Sequence, residues 1–279
     1  EPTWRATISY ELSDDMFTYF TYARGFKSGG YNDQTGTSGV PITALSAAPT
    51  DPEKADSYEI GLKSDLWDNR LRVNLSAFYV EYTDAQKDLV STFENEFGGT
   101  FQETRFYNAA DMTAAGFEGE FTAAITDSFT VRGNVGYLDT EYDEFTADTD
   151  FDGVDDADLS DRDVNRAPEW QWNLDAIFEH DLLGGQVRWV ANANYVDEAI
   201  FVYSVVDPRY DGITDDRTLF NGSVTWTQNE GRYFARVYGK NLSDEEYRVG
   251  ELPVADLWTF AYYGEPRTFG LEVGMFFGK

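Results

Sequence analysis

The chain of 279 residues carries 51 acidic against 21 basic side chains, a formal charge of −30, which excludes a nucleic-acid partner because phosphate contacts need concentrated Lys and Arg. It has no cysteine, so a disulfide framework, a thiolate metal site and a Cys nucleophile are excluded too. Aromatic residues make up 16% although mean hydropathy is only −0.49, the average expected when strands alternate an apolar with a polar face and the loops between them are acidic.

The opening EPTWRATISY lacks the charged stretch and apolar core of a signal peptide. No apolar run approaches the length of a membrane-spanning helix, so a membrane would have to be crossed with strands. Strand patterning starts at once. Trp4, Ala6, Ile8, Tyr10 and Leu12 alternate with Arg5, Thr7, Ser9 and Glu11, over roughly the ten residues that a tilted strand needs to cross a bilayer. In the next segment Phe17, Tyr19, Thr21 and Ala23 share one face and Thr18, Phe20, Tyr22 and Arg24 the other, before Gly25, Gly29 and Gly30 end it. The pattern recurs at Leu71–Tyr79, Ala115–Ala123, Trp170–Phe178, Val187–Tyr195 and Phe269–Phe277. About eleven such strands are expected.

Tight turns fall at Ser13-Asp14-Asp15, Asp68-Asn69-Arg70, Thr126-Asp127-Ser128, Leu183-Gly184-Gly185 and Asn229-Glu230-Gly231, where Asp, Asn and Gly tolerate turn geometry. Between them lie long polar insertions at roughly 27–54, 86–110, 143–166, 197–215 and 242–265. Short connections at one end and long ones at the other match the plan of an outer-membrane barrel. Trp4, Trp67, Tyr79, Tyr82, Trp170, Tyr195 and Trp226 sit near predicted strand ends, where amphipathic rings suit a headgroup layer. The expected fold is therefore an all-β, transmembrane antiparallel β-barrel. A single-chain barrel closes on an even number of strands, so about eleven strands are expected to be part of a larger one.

Several spaced stretches resemble the TonB-dependent outer-membrane receptors: YARGFKSGGYN at 22–32, PEKADSYEIGLKSDLWDNRLRVNLSAFYVEYTD at 52–84, AAGFEGEF at 114–121, NRAPEW at 165–170, KNLSDEEYR at 240–248 and PRTFGLEVGMFF at 266–277. The resemblance implies a barrel of about 22 strands, of which residues 1–279 are the C-terminal part. It also implies a separate N-terminal plug domain in the lumen, and energy supplied by the inner-membrane TonB complex through a segment before the plug. The cargo it implies by default is a ferric siderophore. Uptake of an oligosaccharide or another neutral nutrient, or a passive porin, is the alternative; a soluble β-sandwich lectin is a third reading. Its partners would be outer-membrane lipid, plug, TonB and a small nutrient.

Enzymatic sites are poorly supported. The single histidine, His180, reads as an ordinary polar residue at a strand end, and no nucleophile elbow, HExxH pair or phosphate loop occurs. GFKSGG lacks phosphate-loop spacing and reads as a strand exit. In DTDFDGVDDADLSDRD, Asp148, Asp150 and Asp152 followed by Gly153 resemble the start of a calcium loop, with Asp156 as a further ligand and Asp155 or Asp158 as substitutes. The twelfth position is Leu159, so the usual bidentate Glu is missing and a solvated acidic loop is the default; no cofactor is required. Arg72, Arg132, Arg188, Arg236 and Lys240, with Glu59, Glu118, Glu120 and Glu272, fall on the expected lumen faces. Substrate contacts are expected from rings in the long loops: Tyr31, Tyr107, Tyr203, Tyr210, Trp258 and Tyr262, with Tyr263 beside them.

Overall fold

The computed structural model describes residues 1–31, 49–94, 100–148, 154, 157–203, 211–254 and 258–277. Sixteen strands account for its regular structure, and all pair antiparallel. Eleven of them form one continuous meander: β1 (Trp4–Ser13), β2 (Met16–Lys27), β3 (Glu53–Leu66), β4 (Leu71–Glu94), β5 (Thr100–Ala124), β6 (Phe129–Ala147), β8 (Trp170–Leu182), β9 (Gly185–Val196), β12 (Arg217–Gln228), β13 (Tyr233–Lys240) and β16 (Thr268–Met275). The short β7 (Ala157–Asp158) adds to the end of β6. Two separate hairpins, β10 (Ala199–Val202) with β11 (Gly212–Thr214) and β14 (Arg248–Val254) with β15 (Trp258–Tyr263), stand in the connections. Among the described residues β1 pairs only with β2 and β16 only with β13, so the sheet is an open wall with an edge at each end.

The register shows why these residues form this wall. Residues paired across antiparallel strands point to the same face, and Ile8, Phe20, Ile60, Ala77, Phe117, Tyr137 and Trp170 form one unbroken row of partners. The next residue along each strand belongs to the other face, where Lys63, Asn74, Glu120, Asn134, Asn173 and Asn194 form a polar row. On the polar face Arg132 Nε donates to Asp175 at 2.8 Å, and Asn192 Nδ2 donates to both Asp175 and Asn173 at 2.7 Å. Arg72 pairs with Asp65, and Asn74 with Glu120. The basic and acidic residues expected on the lumen side do lie on this face.

The apolar band has definite limits. From Leu71 to Tyr79 the outward face of β4 rises about 27 Å at ~3.4 Å per residue, or about 21 Å after a ~40° strand tilt. At the end bearing the long connections, rings close the band: Tyr22 stacks on Tyr58 with centroids 5.1 Å apart, Tyr137 meets Trp170 at 4.7 Å, and Trp172 stacks on Tyr195 at 5.9 Å. Arg24 and Asp56 follow immediately as an ion pair on the same face. At the opposite end stand Trp67, which is exposed, Trp189, which donates to His180 Nε2 at 3.2 Å, and Trp226, which donates to the Leu182 carbonyl at 3.0 Å.

Tyr82 departs from the expected belt. It lies an odd number of residues from Tyr79 and so points to the other face, where it packs against the buried cluster around Phe145. The tight turns are as expected. Leu183 and Gly184 have φ of 53° and 69°, the left-handed pair that a two-residue hairpin of matching twist requires.

The insertion at 86–110 is not irregular. Beyond a bulge at Tyr82/Ala85, β4 and β5 continue paired as far as Glu94 and Thr100. Likewise 197–215 and 242–265 contain the two extra hairpins. Among the described residues the one clustered hydrophobic core is also found here, outside the apolar band: Ala85, Ala110, Tyr142, Leu159 and Val164 gather around the fully buried Phe145. A wall one sheet thick has lipid on one side and polar groups on the other, so it has no interior to fill.

This arrangement predicts a face-specific cost. In the full-length protein, Leu75→Arg, midway along the outward face of β4, should reduce folding stability in lipid vesicles by about 2–4 kcal/mol. Ser76→Arg, one residue on and facing Glu118 across β5, should stay within about 0.5 kcal/mol. Urea titration of vesicle-inserted protein measures both.

Candidate functional site: the outer rim and its hairpins

At the rim, several of the quoted motifs serve to bend and anchor the chain. Gly29 faces Thr50 so closely that a Cβ would lie 2.0 Å from the Thr50 carbonyl oxygen. The segments leaving β2 and entering β3 are tied there by Thr50 N–H to the Gly30 carbonyl at 2.8 Å. This is why GFKSGG is a strand exit. Asp84 sits at φ 56° in the β4 bulge, its N–H donating to Asp111 at 2.9 Å. Asn108 donates to the carbonyls of Asp84 and Asp51 at 2.6 and 3.0 Å and accepts from Asp51 N–H at 2.7 Å. Glu53 accepts from Gln86 N–H at 2.9 Å. One polar knot thus joins the base of the first long connection to the β4–β5 ribbon.

KNLSDEEYR and GEPRTFG form a second clamp. Asn241 is buried at φ 47° and donates through Nδ2 to the carbonyls of Glu245 and Glu265 at 2.8 and 3.1 Å; its Oδ1 accepts Glu245 N–H at 2.9 Å. Asp244 pairs with Arg267 at 2.9 Å and Lys240 with Glu265 at 3.3 Å. Tyr247 closes over Gly264, where a Cβ would meet its ring at 2.0 Å.

The two outer hairpins are fastened to each other. Arg248 reaches Asp215 with two guanidinium nitrogens and Glu251 at 3.0 Å, while its own N–H donates to Asp215 at 2.7 Å. Gly212 lies against the Glu251 carbonyl, where a Cβ would sit 2.1 Å away. The Arg248 guanidinium holds the Asp215 carboxyl below the usual carboxylate range, against the opposing effect of partial burial.

The expected substrate residues do not converge on one point. Tyr31 bridges to Pro49 and is 76% exposed; Trp258 and Tyr262 are each 55% exposed on β15. Their register partners are Val254 and Gly250, which puts Trp258, Phe260 and Tyr262 on one face of the hairpin, with Trp258 edge-on to Phe260 at 6.3 Å. Tyr203 is placed differently. Its hydroxyl meets Tyr142 at 2.9 Å and donates to the Asp163 carbonyl, Arg162 lies over its ring at 5.4 Å, and burial pushes its hydroxyl pKa up. In this position it orders the loop core. The side chain of Tyr107 and the whole of Tyr210 lie outside the described residues, as do Asp150, Asp152, Asp155 and Asp156 of the expected calcium loop. Asp148 directly follows β6, and Asp158 accepts from the Ser160 hydroxyl at 2.7 Å, a contact that lowers its pKa. Among the described residues no three acidic or His side chains converge as a metal site.

Sequence reasoning passed over Phe260, Asn241 and the Arg248 cluster. Phe260 was legible, since it alternates with Trp258 and Tyr262; Arg248 was not, because Asp215 lies 33 positions away.

An outward apolar band, a polar opposite face and short turns at only one end define a membrane β-barrel wall. The family model described as "TonB dependent receptor-like, beta-barrel" matches residues 1–242, and the chain belongs to that family. It is an outer-membrane barrel of a family of receptors and transporters. The chain is 30% identical over 252 residues to the pesticin receptor of Yersinia pestis, covering 87% of this chain and 31% of that protein. It is 27% identical over 139 residues to a probable TonB-dependent siderophore receptor, PiuA, of Acinetobacter baumannii, covering 50% of this chain and 17% of the relative. The crystal structure of the ferric yersiniabactin uptake receptor FyuA from Yersinia pestis superposes with TM-score 0.73 at 21% identity, over 96% of this chain and 36% of that one. The matched parts therefore span about a sixth to a third of the length of these relatives.

Two outcomes follow from the clamps. Asn241→Asp keeps the turn-compatible backbone but cannot donate to the two carbonyls, and should lower the thermal stability of the full-length protein by about 1–3 kcal/mol; Asn241→Ala should cost at least as much. The Asp215 contribution has its own pH window. A carboxylate with a depressed folded pKa stabilises fully above its unfolded value, near 3.9, and loses that contribution as pH falls through the folded value. Hydrogen exchange of β10–β11 should therefore be steady from about pH 7 to 5, after correction for intrinsic rates, and should rise below about pH 4. Arg248→Gln should show the raised exchange already at pH 7.

Proposed function

We propose that this chain is the C-terminal part of the barrel of an energy-coupled outer-membrane transporter that takes up a ferric siderophore. The plug and the TonB-contacting segment belong to the rest of the protein in this reading. One observation carries it: the eleven-strand wall has a lipid-compatible face only about 21 Å tall by strand geometry, and above it stands a structured outer layer of hairpins bearing exposed rings. A passive pore needs a wall but not a ring-bearing layer clamped in place by Asn241 and Arg248. Relatives named as a probable siderophore receptor and a ferric-pyoverdine receptor support the cargo class.

Within this reading Tyr31, Trp258 and Tyr262 present rings to the arriving chelate, with Phe260 beside them. Their exposed faces combine apolar contact with polar tips, which suits a ligand that is part ring and part polar chelate.

A deletion strain grown under iron limitation tests the proposal. The full-length gene should restore uptake of radioactive iron from its cognate ferric complex, and removal of TonB should abolish it. Trp258→Ala with Tyr262→Ala should weaken binding about 5- to 30-fold, at about 1–2 kcal/mol in total, without changing the amount of receptor in the membrane. Uptake that persists without TonB would point to a passive pore instead.

A further inference from the structure

We infer that the cargo is a ferric complex of zero or positive net charge, an inference that rests on the siderophore reading and narrows it. An anionic chelate needs basic groups that are available to it. On the outer layer many of the described basic side chains are already paired with carboxylates. Arg162 pairs with Asp211, Arg248 with Asp215 and Glu251, Arg267 with Asp244 and Lys240 with Glu265. Arg166 and Arg217 lie instead over the rings of Phe201 and Tyr247, at 4.7 and 5.2 Å.

Carboxylates, in contrast, are in excess. Where β6 and β8 part beneath the β10–β11 hairpin there is a cleft of about 780 Å³, and among the described residues no Lys or Arg lines it. Asp139, Asp163, Glu169 and Glu198 on its wall are exposed to water. Among the described residues, Asp211 is the one of its acidic residues that a basic side chain, Arg162, pairs with. A charged cleft with low-dielectric walls focuses the field that an approaching ion meets.

The rings give a second, independent argument. Trp258, Phe260 and Tyr262 present exposed faces, and the negative face of an aromatic ring attracts cations, Trp most strongly. Rings and carboxylates thus select in the same direction. A trianionic complex is disfavoured by both, whereas a neutral or ammonium-bearing complex meets at least one favourable contact.

The test uses detergent-solubilised full-length receptor and three ferric probes, with binding read by tryptophan fluorescence. The probes are a neutral cyclic trihydroxamate complex, a linear trihydroxamate complex with one free ammonium, and a trianionic tris-catecholate complex. At low salt one of the first two should bind about tenfold or more tightly than the trianion, and the gap should narrow as salt screens the field. Glu169→Lys with Glu198→Lys should shift the ratio of trianion to neutral-complex binding about threefold or more toward the trianion; both positions are exposed, so folding is not at issue. Equal or tighter binding of the trianion by the unsubstituted receptor overturns the charge inference and leaves siderophore uptake standing. Failure to bind any of the three, together with no iron uptake in the complemented strain, overturns both.

Discussion

In hydrocarbon no water is present to satisfy a stray backbone group, so each N–H and C=O of a membrane-crossing strand must find its partner in the next strand. That constraint explains why the eleven-strand ladder is continuous, with partners running from Ser13 paired to Met16 at one edge to Lys240 paired to Thr268 at the other. It also explains where irregularity is found. The bulges of β4 at Tyr82/Ala85 and of β5 at Asp111/Met112 lie beyond the last outward ring of their strands, at the level where water is again available. Side chains replace the ladder there: Asp111, Asn108 and Glu53 accept or donate where backbone pairing is broken.

The quoted family stretches divide along the same boundary. Within the band they set the alternation, as in EIGLKSDL, whose Ile60 and Leu62 face outward while Gly61 and Lys63 face the polar side. Gly61 is needed because Tyr19 lies across it, 2.3 Å from where its Cβ would be. Outside the band the stretches make knots: Asn241 with Glu245 and Glu265, Asp84 with Asn108 and Asp111. Of the exposed rings Tyr31, Trp258, Phe260 and Tyr262, only the first belongs to one of them. The motifs build a frame, and most of the residues suited to meeting cargo lie between them.

This division decides how much was legible in advance. Alternation inside the band follows from two solvents meeting one strand, so strand number, faces and all five tight turns could be read from residue order. Above the band both sides of a ribbon meet water, the alternation has no cause, and Gln86–Glu94 paired with Thr100–Asn108 looks like a polar loop. By its type and strand-end position Tyr82 matches the membrane belt. Its odd spacing from Tyr79 contained the correction, because parity and not residue type decides which face a ring occupies. Contacts such as Arg248 with Asp215 join separate hairpins and leave no periodic trace.

Aromatic residues are abundant here because two separate demands add together. One set closes the band and is held by its neighbours, as Tyr137 is between Phe117 and Trp170 at 5.5 and 4.7 Å. Rings there answer to the thickness of the bilayer and cannot move without opening a gap in the belt. The other set, Tyr31, Trp258, Phe260 and Tyr262, is exposed on elements that clamps hold from below. Burial would stabilise these rings by about 1.5–3 kcal/mol each, so their exposure is a cost that folding alone does not explain. The clamps beneath them make that exposure persistent, because Arg248 and Asn241 keep the hairpins from collapsing onto the wall and covering their own rings.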